Sequence, residues 1–357
     1  FPIQEQAIPL ALTGQDLIGQ AKTGTGKTLG FGLPIIQRLG LNPEHGAKAL
    51  VVVPTRELAI QVADDLTLAA SNRNLQVAAI YGGKSYEGQV AQIDAGAQLI
   101  VGTPGRLIDL SKQRKLDLSK IECMVLDEAD EMLDLGFLPD VERLFAFTPA
   151  GRQTMLFSAT LDGQVGNLVR RYMKSPEEVS IDSPTDTVGT MHHLFLAVHK
   201  MDKDKVISAI ANATGKTVVF CDTKRMCDRV TENLQDMGVN ALAIHGDLTQ
   251  AAREKAIARF TKNELLVLVA TDVAARGIDI DDVEVVVHYV PPIDSKAYLH
   301  RSGRTARAGR DGWAVTLAEY NQHTTCRIIQ RALRLPTNPP VEIFSNDSRL
   351  QNLNTFL

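Results

Sequence analysis

Eight residues near the start of the chain, 21–28, have the composition and order of a phosphate-binding loop. They read Ala-Lys-Thr-Gly-Thr-Gly-Lys-Thr, between a short apolar run and a helix-like segment, residues 29–39. Gly24 and Gly26 let the backbone approach an anion without a Cβ in the way, and N–H groups at a helix amino terminus stabilise negative charge. Lys27 would reach the β- and γ-phosphates, and the Thr28 hydroxyl would ligate Mg²⁺. The strict pattern has Gly where Ala21 stands, so a glycine-rich surface turn is the alternative.

A second chemical signal is the acidic run Asp-Glu-Ala-Asp at residues 127–130, directly after an apolar stretch. A carboxylate at the end of a buried strand is where a P-loop ATPase holds Mg²⁺. Asp127 is therefore predicted to be the metal ligand, and Glu128 to orient the water that attacks the γ-phosphate. An isolated acidic cluster is more often a solvated turn, but a phosphate loop in the same chain favours the metal site.

Strand-like and helix-like segments alternate along the whole chain, which predicts an α/β protein with parallel sheets covered by helices. The strand-like runs are short, apolar and rich in β-branched residues, as buried parallel strands are. They are residues 49–53, 76–80, 99–101, 124–126, 154–157, 217–220, 241–244, 265–269 and 283–288. Ligands of open α/β sheets bind beyond the carboxyl ends of the strands. The motifs follow strand-like runs, so we expect them to face shared clefts.

The length of 357 residues predicts two domains of similar size. We place them at residues 1–182 and 191–340, joined by a linker at 183–190 and followed by a tail at 341–357. The net charge of −4 shows no global basicity, so any nucleic-acid surface must be local. No apolar run approaches the roughly 18 residues of a membrane span.

The four cysteines show neither CxxC nor zinc spacing, and Cys123 and Cys221 lie in apolar runs as small core residues would. A cytoplasmic location fits this pattern. The sequence begins at Phe1, within a helix-like segment, so we expect that the natural chain has further residues upstream.

Further motifs occur in a characteristic order on both sides of the predicted linker. They are Pro54-Thr-Arg-Glu-Leu-Ala59, Gly82-Gly83, Thr103-Pro-Gly-Arg106, Ser158-Ala-Thr160, residues 219–225, residues 250–253, residues 270–279 and His300-Arg-Ser-Gly-Arg-Thr-Ala-Arg307. Together with the two sites above, they resemble a DEAD-box ATP-dependent RNA helicase of superfamily 2, over roughly residues 1–315. This resemblance implies two tandem RecA-like domains, each a mostly parallel sheet with helices on both faces. The family also has Ala at the position of Ala21, whereas Gly is more usual at the position of Ala306.

The resemblance implies an ATP and Mg²⁺ site shared by the two domains. Gln4 is the last residue of the motif that reads adenine. Its amide side chain can both donate to and accept from the edge of the adenine base. The implied nucleotide-binding residues are Gln4, Ala21, Thr23, Gly24, Thr25, Gly26, Lys27, Thr28, Gly277 and the ribose ligand Asp279. Arg304 and Arg307 are the implied arginine fingers, which stabilise charge on the γ-phosphate, and His300 is expected to hydrogen-bond where the domains close. Ser158, Thr160 and Asp130 are expected to couple the sites.

The RNA-binding residues implied by the resemblance mix short hydroxyls, glycines and isolated arginines. Such a set suits contacts to phosphate oxygens and carries no base-reading information, and the aromatic content of 5% gives no sign of stacking platforms. The residues are Pro54, Thr55, Arg56, Gly82, Gly83, Thr103, Pro104, Gly105 and Arg106 in the first domain. In the second domain they are Arg225, Gly246, Gln250, Arg253, Thr271 and Arg276.

The expected function is RNA-stimulated ATP hydrolysis coupled to local strand separation or remodelling of RNA–protein complexes. The expected partner is single-stranded RNA or a short duplex, with RNA-processing proteins joining through missing tails. Two alternatives remain at this point: an ATP-gated RNA clamp with little turnover, and a DNA translocase of the same superfamily. Glu128, Arg304 and Arg307 favour turnover, and the Asp-Glu-Ala-Asp spelling favours RNA.

Overall fold

The structure, a computed structural model, describes residues 1–21, 25–41, 43–161, 163–181, 190–275, 283–306 and 311–357. The chain divides into two units, Phe1–Asp182 and Ser183–Leu357. The predicted linker, residues 183–190, lies outside the described residues except for Thr190. Within the described residues, no helix is both long enough and apolar enough to span a bilayer.

The first unit is built on one seven-stranded sheet with the strand order β3-β4-β2-β5-β6-β1-β7. The strands are β1 (Leu17–Gln20), β2 (Ala49–Val52), β3 (Val77–Ile80), β4 (Leu99–Gly102), β5 (Cys123–Asp127), β6 (Gln153–Ser158) and β7 (Glu177–Ser180). Every described strand pair in this sheet is parallel. The five runs predicted as strands in this half are confirmed, with ends that differ by at most one residue.

Helices cover both faces of this sheet because its central strands are apolar on both sides. Val51 and Val101 face one cluster of buried residues, while Leu50 and Ile100 face the other. The first cluster is closed by α1 (Pro2–Leu12), α2 (Lys27–Leu39) and α3 (Arg56–Ala69). The second is closed by α5 (Pro104–Lys112), α6 (Ala129–Asp134), α7 (Leu138–Phe147) and α8 (Gln164–Tyr172). A further helix, α4 (Tyr86–Asp94), follows β3.

The second unit repeats this plan, with the strand order β10-β11-β9-β12-β13-β8-β14. Its strands are β8 (Met191–Ala197), β9 (Thr217–Cys221), β10 (Ala241–Ile244), β11 (Val267–Thr271), β12 (Val285–His288), β13 (Gly312–Ala318) and β14 (Val341–Glu342). Its helices are α9 (Lys203–Thr214), α10 (Lys224–Asp236), α11 (Gln250–Thr261), α12 (Asp272–Ala275), α13 (Ser295–Ser302) and α14 (His323–Ala332). The described pairs are again all parallel.

The segment 341–357, which the sequence marks only as a tail, packs onto the second unit. It begins with β14, which pairs with β8, and continues through two short 3₁₀ helices. Ile343, Leu350 and Leu353 are almost completely buried in the same cluster as α9 and α10. This packing could not be predicted from the sequence, because three apolar residues spaced over eleven positions show neither a helical nor a strand period.

All four cysteines are buried free thiols. The prediction that Cys123 and Cys221 are small core residues is therefore confirmed.

Candidate nucleotide-binding and RNA-binding sites

In the first unit, the predicted site residues that the structure describes lie at one edge of the sheet. Parallel strands place their carboxyl ends together, and each motif other than that of Gln4 begins at or just after such an end. Gln4 lies on α1 and contacts the phosphate loop. The three neighbouring strands β3, β4 and β2 precede the predicted RNA-binding residues. The next three strands, β5, β6 and β1, precede the acidic run, the Ser158–Thr160 motif and the phosphate loop. One half of the edge thus carries the RNA candidates and the other half the nucleotide candidates.

The described part of the phosphate loop leads directly into α2. Gly26 is the N-cap and has a φ of 81°, a left-handed conformation that favours glycine. A Cβ at this position would lie 2.6 Å from Nε2 of Gln4, which donates a hydrogen bond to the Gly26 carbonyl over 2.9 Å. The Gln4 side chain, predicted to read adenine, is therefore held against the phosphate loop. Thr25 and Thr28 are half-buried beside Gly26.

Lys27 is 6% exposed and points back into the loop. Its Nζ donates to the Ala21 carbonyl over 3.2 Å and lies 3.9 Å from Asp127 Oδ1. Burial raises the pKa of Asp127 to about 6, although the positive charge of Lys27 opposes that shift. The lysine predicted to bind phosphate and the carboxylate predicted to bind the metal ion are therefore direct neighbours.

The oxygen donors here suit Mg²⁺. Asp127 supplies a carboxylate and Thr28 a hydroxyl, and hard divalent cations prefer oxygen ligands. Among the described residues there is no group of three His, Cys, Asp or Glu side chains that could hold a metal ion. Asp127 and Thr28 would hold a cation here, and proteins commonly bind Mg²⁺ through one or two carboxylates together with water and phosphate oxygens.

Hydrogen bonds connect the last residue of the acidic run to the segment at the end of β6. Glu128 is buried and has a φ of 53°, a left-handed conformation that is strained for a residue with a side chain. Asp130 Oδ2 accepts hydrogen bonds from the Thr160 backbone N–H over 3.1 Å and from its hydroxyl over 3.2 Å. Ser158 Oγ accepts from the Asp130 N–H over 3.2 Å and donates to the Thr160 carbonyl over 2.6 Å. These three residues, predicted to couple the sites, form one hydrogen-bonded cluster.

On the RNA half of the edge, the position of the Arg56 side chain explains why Gly82 and Gly83 have no side chain. A Cβ at Gly83 would lie 2.2 Å from Nη1 of Arg56, and one at Gly82 would lie 3.5 Å from Nη2. Gly83 also has a φ of 86°. The missing side chains let the half-buried guanidinium lie against this turn. Thr55, after the buried Pro54, accepts from the Leu58 N–H at the start of α3, and its hydroxyl proton can still be donated to a phosphate.

The Thr103–Arg106 motif forms the start of α5. Thr103 is the N-cap and uses no side-chain hydrogen bond for capping, and Pro104 occupies the first turn, where it is tolerated. Gly105 is exposed, and a Cβ there would meet nothing within 4 Å. Arg106 is half-buried and donates from Nη2 to the Lys84 carbonyl over 3.1 Å. This carbonyl belongs to the turn that follows β3, so the arginine connects two neighbouring segments of the RNA half.

The described residues of the second sheet show a similar division. The neighbouring strands β10, β11 and β9 precede the predicted RNA-binding residues, and the next strand, β12, precedes His300 on α13 and Arg304 two residues after that helix ends. Arg225 and Gly246 are exposed, whereas Gln250 and Arg253 are buried on α11. Arg253 Nη2 donates to the Ala274 carbonyl over 3.4 Å, which directs it to α12, next to half-buried Thr271. His300 is half-buried and Arg304 is 8% exposed.

Comparison with known proteins assigns the family. The DEAD/DEAH box helicase model matches residues 1–168, and the helicase conserved C-terminal domain model matches residues 202–309. CshA of Bacillus licheniformis, a DEAD-box ATP-dependent RNA helicase by name, is 42% identical over 336 residues, which cover 93% of this chain and 69% of that protein. The chain belongs to the DEAD/DEAH box helicase family. The resemblance noted from the motifs is thus confirmed.

Two further relatives describe the extent of the similarity. CshA of Listeria monocytogenes, an ATP-dependent RNA helicase by name, is 43% identical and covers 95% of this chain, but the chain covers only 65% of that protein. Dbp5 of S. cerevisiae, solved bound to RNA and ADP BeF3, is 29% identical with a TM-score of 0.87 over 99% of this chain and 92% of Dbp5. The predicted fold class, tandem RecA-like domains, is confirmed.

One DEAD-box motif contains a residue that sequence reasoning passed over. Arg301 is 4% exposed, and its Nε and Nη2 each donate to the Asp272 carboxylate over 2.6 Å. Nη2 also reaches Asp222 Oδ1 at 3.3 Å. Arg301 thereby ties the motif that contains Arg304 to the segments after β9 and β11 that carry the RNA candidates. The position of Arg301 between His300 and Arg304 in the motif was the sequence signal that could have identified it.

The histidines near these sites have structural partners. His245 is buried and its Nε2 lies 2.7 Å from Asp228 Oδ1. His193 Nδ1 lies 2.8 Å from the Tyr298 hydroxyl, and the His192 ring packs against Trp313.

Several predicted site residues lie outside the described part of the chain. They are Thr23, Gly24, Arg276, Gly277, Asp279 and Arg307. Their roles stay predictions.

Proposed function

We propose that this chain is the core of an ATP-dependent RNA helicase, which hydrolyses ATP in response to RNA and uses the cycle to separate strands locally or to remodel RNA–protein complexes. The observation that carries the proposal is the division of both sheet edges into an RNA half and a nucleotide half. The names of the relatives and the RNA and ADP BeF3 bound to Dbp5 support it. Since the chain covers only part of the curated relatives, activities of a longer protein are included in the proposal.

At the nucleotide half, each residue has a separate task. Lys27, with the N–H groups at the start of α2, binds the β- and γ-phosphates. Asp127 and Thr28 hold Mg²⁺, which when bound neutralises charge on the phosphate oxygens. Glu128 orients the attacking water, and Gln4 selects adenine. Arg304, with Arg307, stabilises the charge that develops on the γ-phosphate, which contributes about 10³–10⁵ in rate where an arginine finger acts.

At the RNA half, the available donors suit the backbone of a nucleic acid. The Arg56 and Arg106 guanidinium groups lie at the turn formed by residues 82–84, and the Thr55 hydroxyl belongs to the residue before Arg56. Such groups bind phosphate oxygens without reading bases. We therefore propose binding that is independent of sequence and falls steeply with salt, since each neutralised phosphate releases counterions.

The Asp130–Thr160–Ser158 cluster lies within the nucleotide half, where it joins the acidic run after β5 to the segment at the end of β6. We propose that this cluster couples the nucleotide half to the RNA half. Coupling of this kind is reciprocal: ATP and RNA raise each other's affinity by the same factor. The retained Glu128 and Arg304 favour turnover over a static clamp. We also propose a cytoplasmic location, which the four free cysteines fit.

The test is the steady-state ATPase rate with and without single-stranded RNA, with Glu128→Gln as the matched blank. We expect RNA to stimulate hydrolysis in the parent protein and a DNA of the same sequence to stimulate it far less. Glu128→Gln should bind ATP and RNA but hydrolyse ATP at least tenfold more slowly than the parent protein. Binding of both ligands without stimulation would support the clamp instead, and equal stimulation by DNA would support a DNA translocase.

A further inference from the structure

An arginine of the RNA half is held by two residues that belong to none of the recognised motifs. The Arg106 guanidinium carbon lies 4.1 Å from the centre of the Tyr86 ring. The hydroxyl of Tyr86 donates to Asp109 Oδ2. Asp109 lies three residues after Arg106 on α5, so both side chains project from the same side of that helix. Tyr86 therefore contacts the arginine with its face and the aspartate with its hydroxyl.

Charge and hydrogen bonding fix this cluster, which we call the Tyr86 clamp (Tyr86, Arg106 and Asp109). The Tyr86 hydrogen bond holds the pKa of Asp109 below its usual range, and the same bond raises the pKa of Tyr86. Asp109 is thus a carboxylate and Tyr86 a neutral donor at neutral pH. Gln113 donates to the other carboxylate oxygen of Asp109 over 2.9 Å, which orients the aspartate.

The clamp leaves Arg106 able to bind a phosphate. A guanidinium has five N–H donors. Nη2 of Arg106 uses one of its two in the hydrogen bond to the Lys84 carbonyl, and Nη1 is buried without a hydrogen-bond partner among the described residues. The second N–H of Nη2 is therefore the donor that can reach a phosphate at the surface. Tyr86 is 39% exposed, so the clamp lies at the surface. An arginine that is already ordered loses less side-chain freedom when it binds than one that moves freely.

We propose that Tyr86 and Asp109 are positioning residues for RNA binding, which hold the Arg106 guanidinium in the orientation that contacts a phosphate of the RNA backbone. The inference rests on the proposed function, because it assigns these residues to the RNA half of the first unit. Tyr86 acts through Arg106 and contacts no base in this account.

The experiment measures affinity for a fluorescent single-stranded RNA of mixed sequence by anisotropy at several salt concentrations. Arg106→Ala should weaken binding about tenfold or more and reduce the salt slope by about one phosphate contact. Tyr86→Leu, which removes ring and hydroxyl, should weaken binding about threefold to tenfold. Tyr86→Phe keeps the ring but loses the hydrogen bond to Asp109, so it should recover only part of that loss. The double variant Tyr86→Leu/Arg106→Ala should bind no more weakly than Arg106→Ala alone.

Tyr172→Leu is the matched control, since Tyr172 also lies under an arginine, Arg171, with 5.2 Å between guanidinium and ring centre, but on α8. It should bind RNA as the parent does. Additive losses in the double variant, or parent-like binding by Tyr86→Leu, would overturn the inference and leave the helicase proposal intact. Parent-like RNA binding by Arg106→Ala would also overturn the inference and leave the helicase proposal intact. Failure of the parent protein to bind RNA would overturn both.

Discussion

Lys27 Nζ lies 3.9 Å from Asp127 Oδ1, and the two side chains are 6% and 4% exposed. Removing one member of a buried pair leaves the other charge uncompensated, which costs about 3–5 kcal/mol when the pair is tight. This pair is long, so we expect Lys27→Met to lower the free energy of unfolding by about 1–3 kcal/mol at pH 8. The double variant Lys27→Met/Asp127→Asn should regain that stability and remain inactive.

Denaturant unfolding and ATPase assays on the two variants check this prediction. Lys48→Met is the control, because its partners Glu44 and Glu122 are 86% and 53% exposed. It should cost less than about 1 kcal/mol. A double variant as unstable as the single one would show that the charge of Asp127 is not the cause.

The Thr160 hydroxyl tests the coupling cluster. Thr160→Val keeps the shape but removes the hydrogen bond to Asp130, a loss of about 1 kcal/mol in stability. We expect stimulation of the ATPase by RNA to fall while the rate without RNA changes less than twofold. Thr148→Val is the control, since its hydroxyl bonds to α7 carbonyls in the same unit. Equal losses in the stimulated and basal rates would contradict a coupling role.

Arg301 and Arg349 offer a matched pair of arginine–aspartate contacts in the second unit. Arg301 is buried between two carboxylates, whereas Arg349 is 40% exposed beside Asp347. Arg301→Met should lower the free energy of unfolding by about 3 kcal/mol, because Asp272 is left without its bidentate partner. Arg349→Met should change the free energy of unfolding little, because water screens an exposed ion pair. Thermal or urea unfolding measures both, and equal effects would mean that the burial of Arg301 does not matter.

Ala306 gives the physical reason for the glycine that is usual at its position. Its φ is 57°, a left-handed conformation that costs a residue with a Cβ roughly 1–2 kcal/mol. The methyl group is 4% exposed, so its removal forfeits about 0.8 kcal/mol of burial. We expect Ala306→Gly to stabilise the protein by less than about 1 kcal/mol, seen as a higher urea midpoint. A clear loss of stability would show that packing outweighs the strain.

His193 predicts how stability depends on pH. Burial, with a contribution from His192, lowers the pKa of His193 from 6.5 to about 4. Between pH 6.5 and pH 4, His193 is therefore protonated in the unfolded chain but stays neutral in the folded protein. Stability from this group is complete above pH 6.5 and is lost as the pH falls towards 4, by at most about 1.4 kcal/mol per pH unit.

Unfolding experiments from pH 8 to pH 4 on the parent and on His193→Gln test this. The variant should lose stability less steeply over that range. At pH 8 the two proteins should differ only by packing around Tyr298, whose hydroxyl lies 2.8 Å from His193 Nδ1. Parallel pH profiles would exclude His193 as a source of the acid sensitivity.

Much of the fold could be predicted from sequence because buried parallel strands are continuous apolar runs. The run 99–101 is one such strand, and it was found within one residue of its end. Edge strands have no such signal: β7 contains two glutamates and one buried residue, and β14 has two exposed residues. Lys203 shows the same limit, since it is fully buried with its Nζ bonded to the Tyr289 and Leu317 carbonyls. Only the folded arrangement brings those acceptors together.

The positions of Lys27 and Asp127 at one edge of the sheet were predictable, because each belongs to a motif at or near the end of a strand-like run. The candidate site was not predictable where function depends on contacts between motifs. Arg301 pairs with Asp222 and Asp272, which lie 79 and 29 residues away. Tyr86 meets Asp109 across 23 residues, and neither residue type would be singled out on its own.

The strand order has a consequence for how the protein is made. In each unit the strand that comes first in the chain pairs with those made last: β1 with β6 and β7, and β8 with β13 and β14. While the ribosome is still extending a unit, that first strand has no neighbours, and its apolar residues stay exposed. Long-range parallel pairing is slow and prone to aggregation. The nascent chain should therefore depend on chaperones until the end of each unit has emerged.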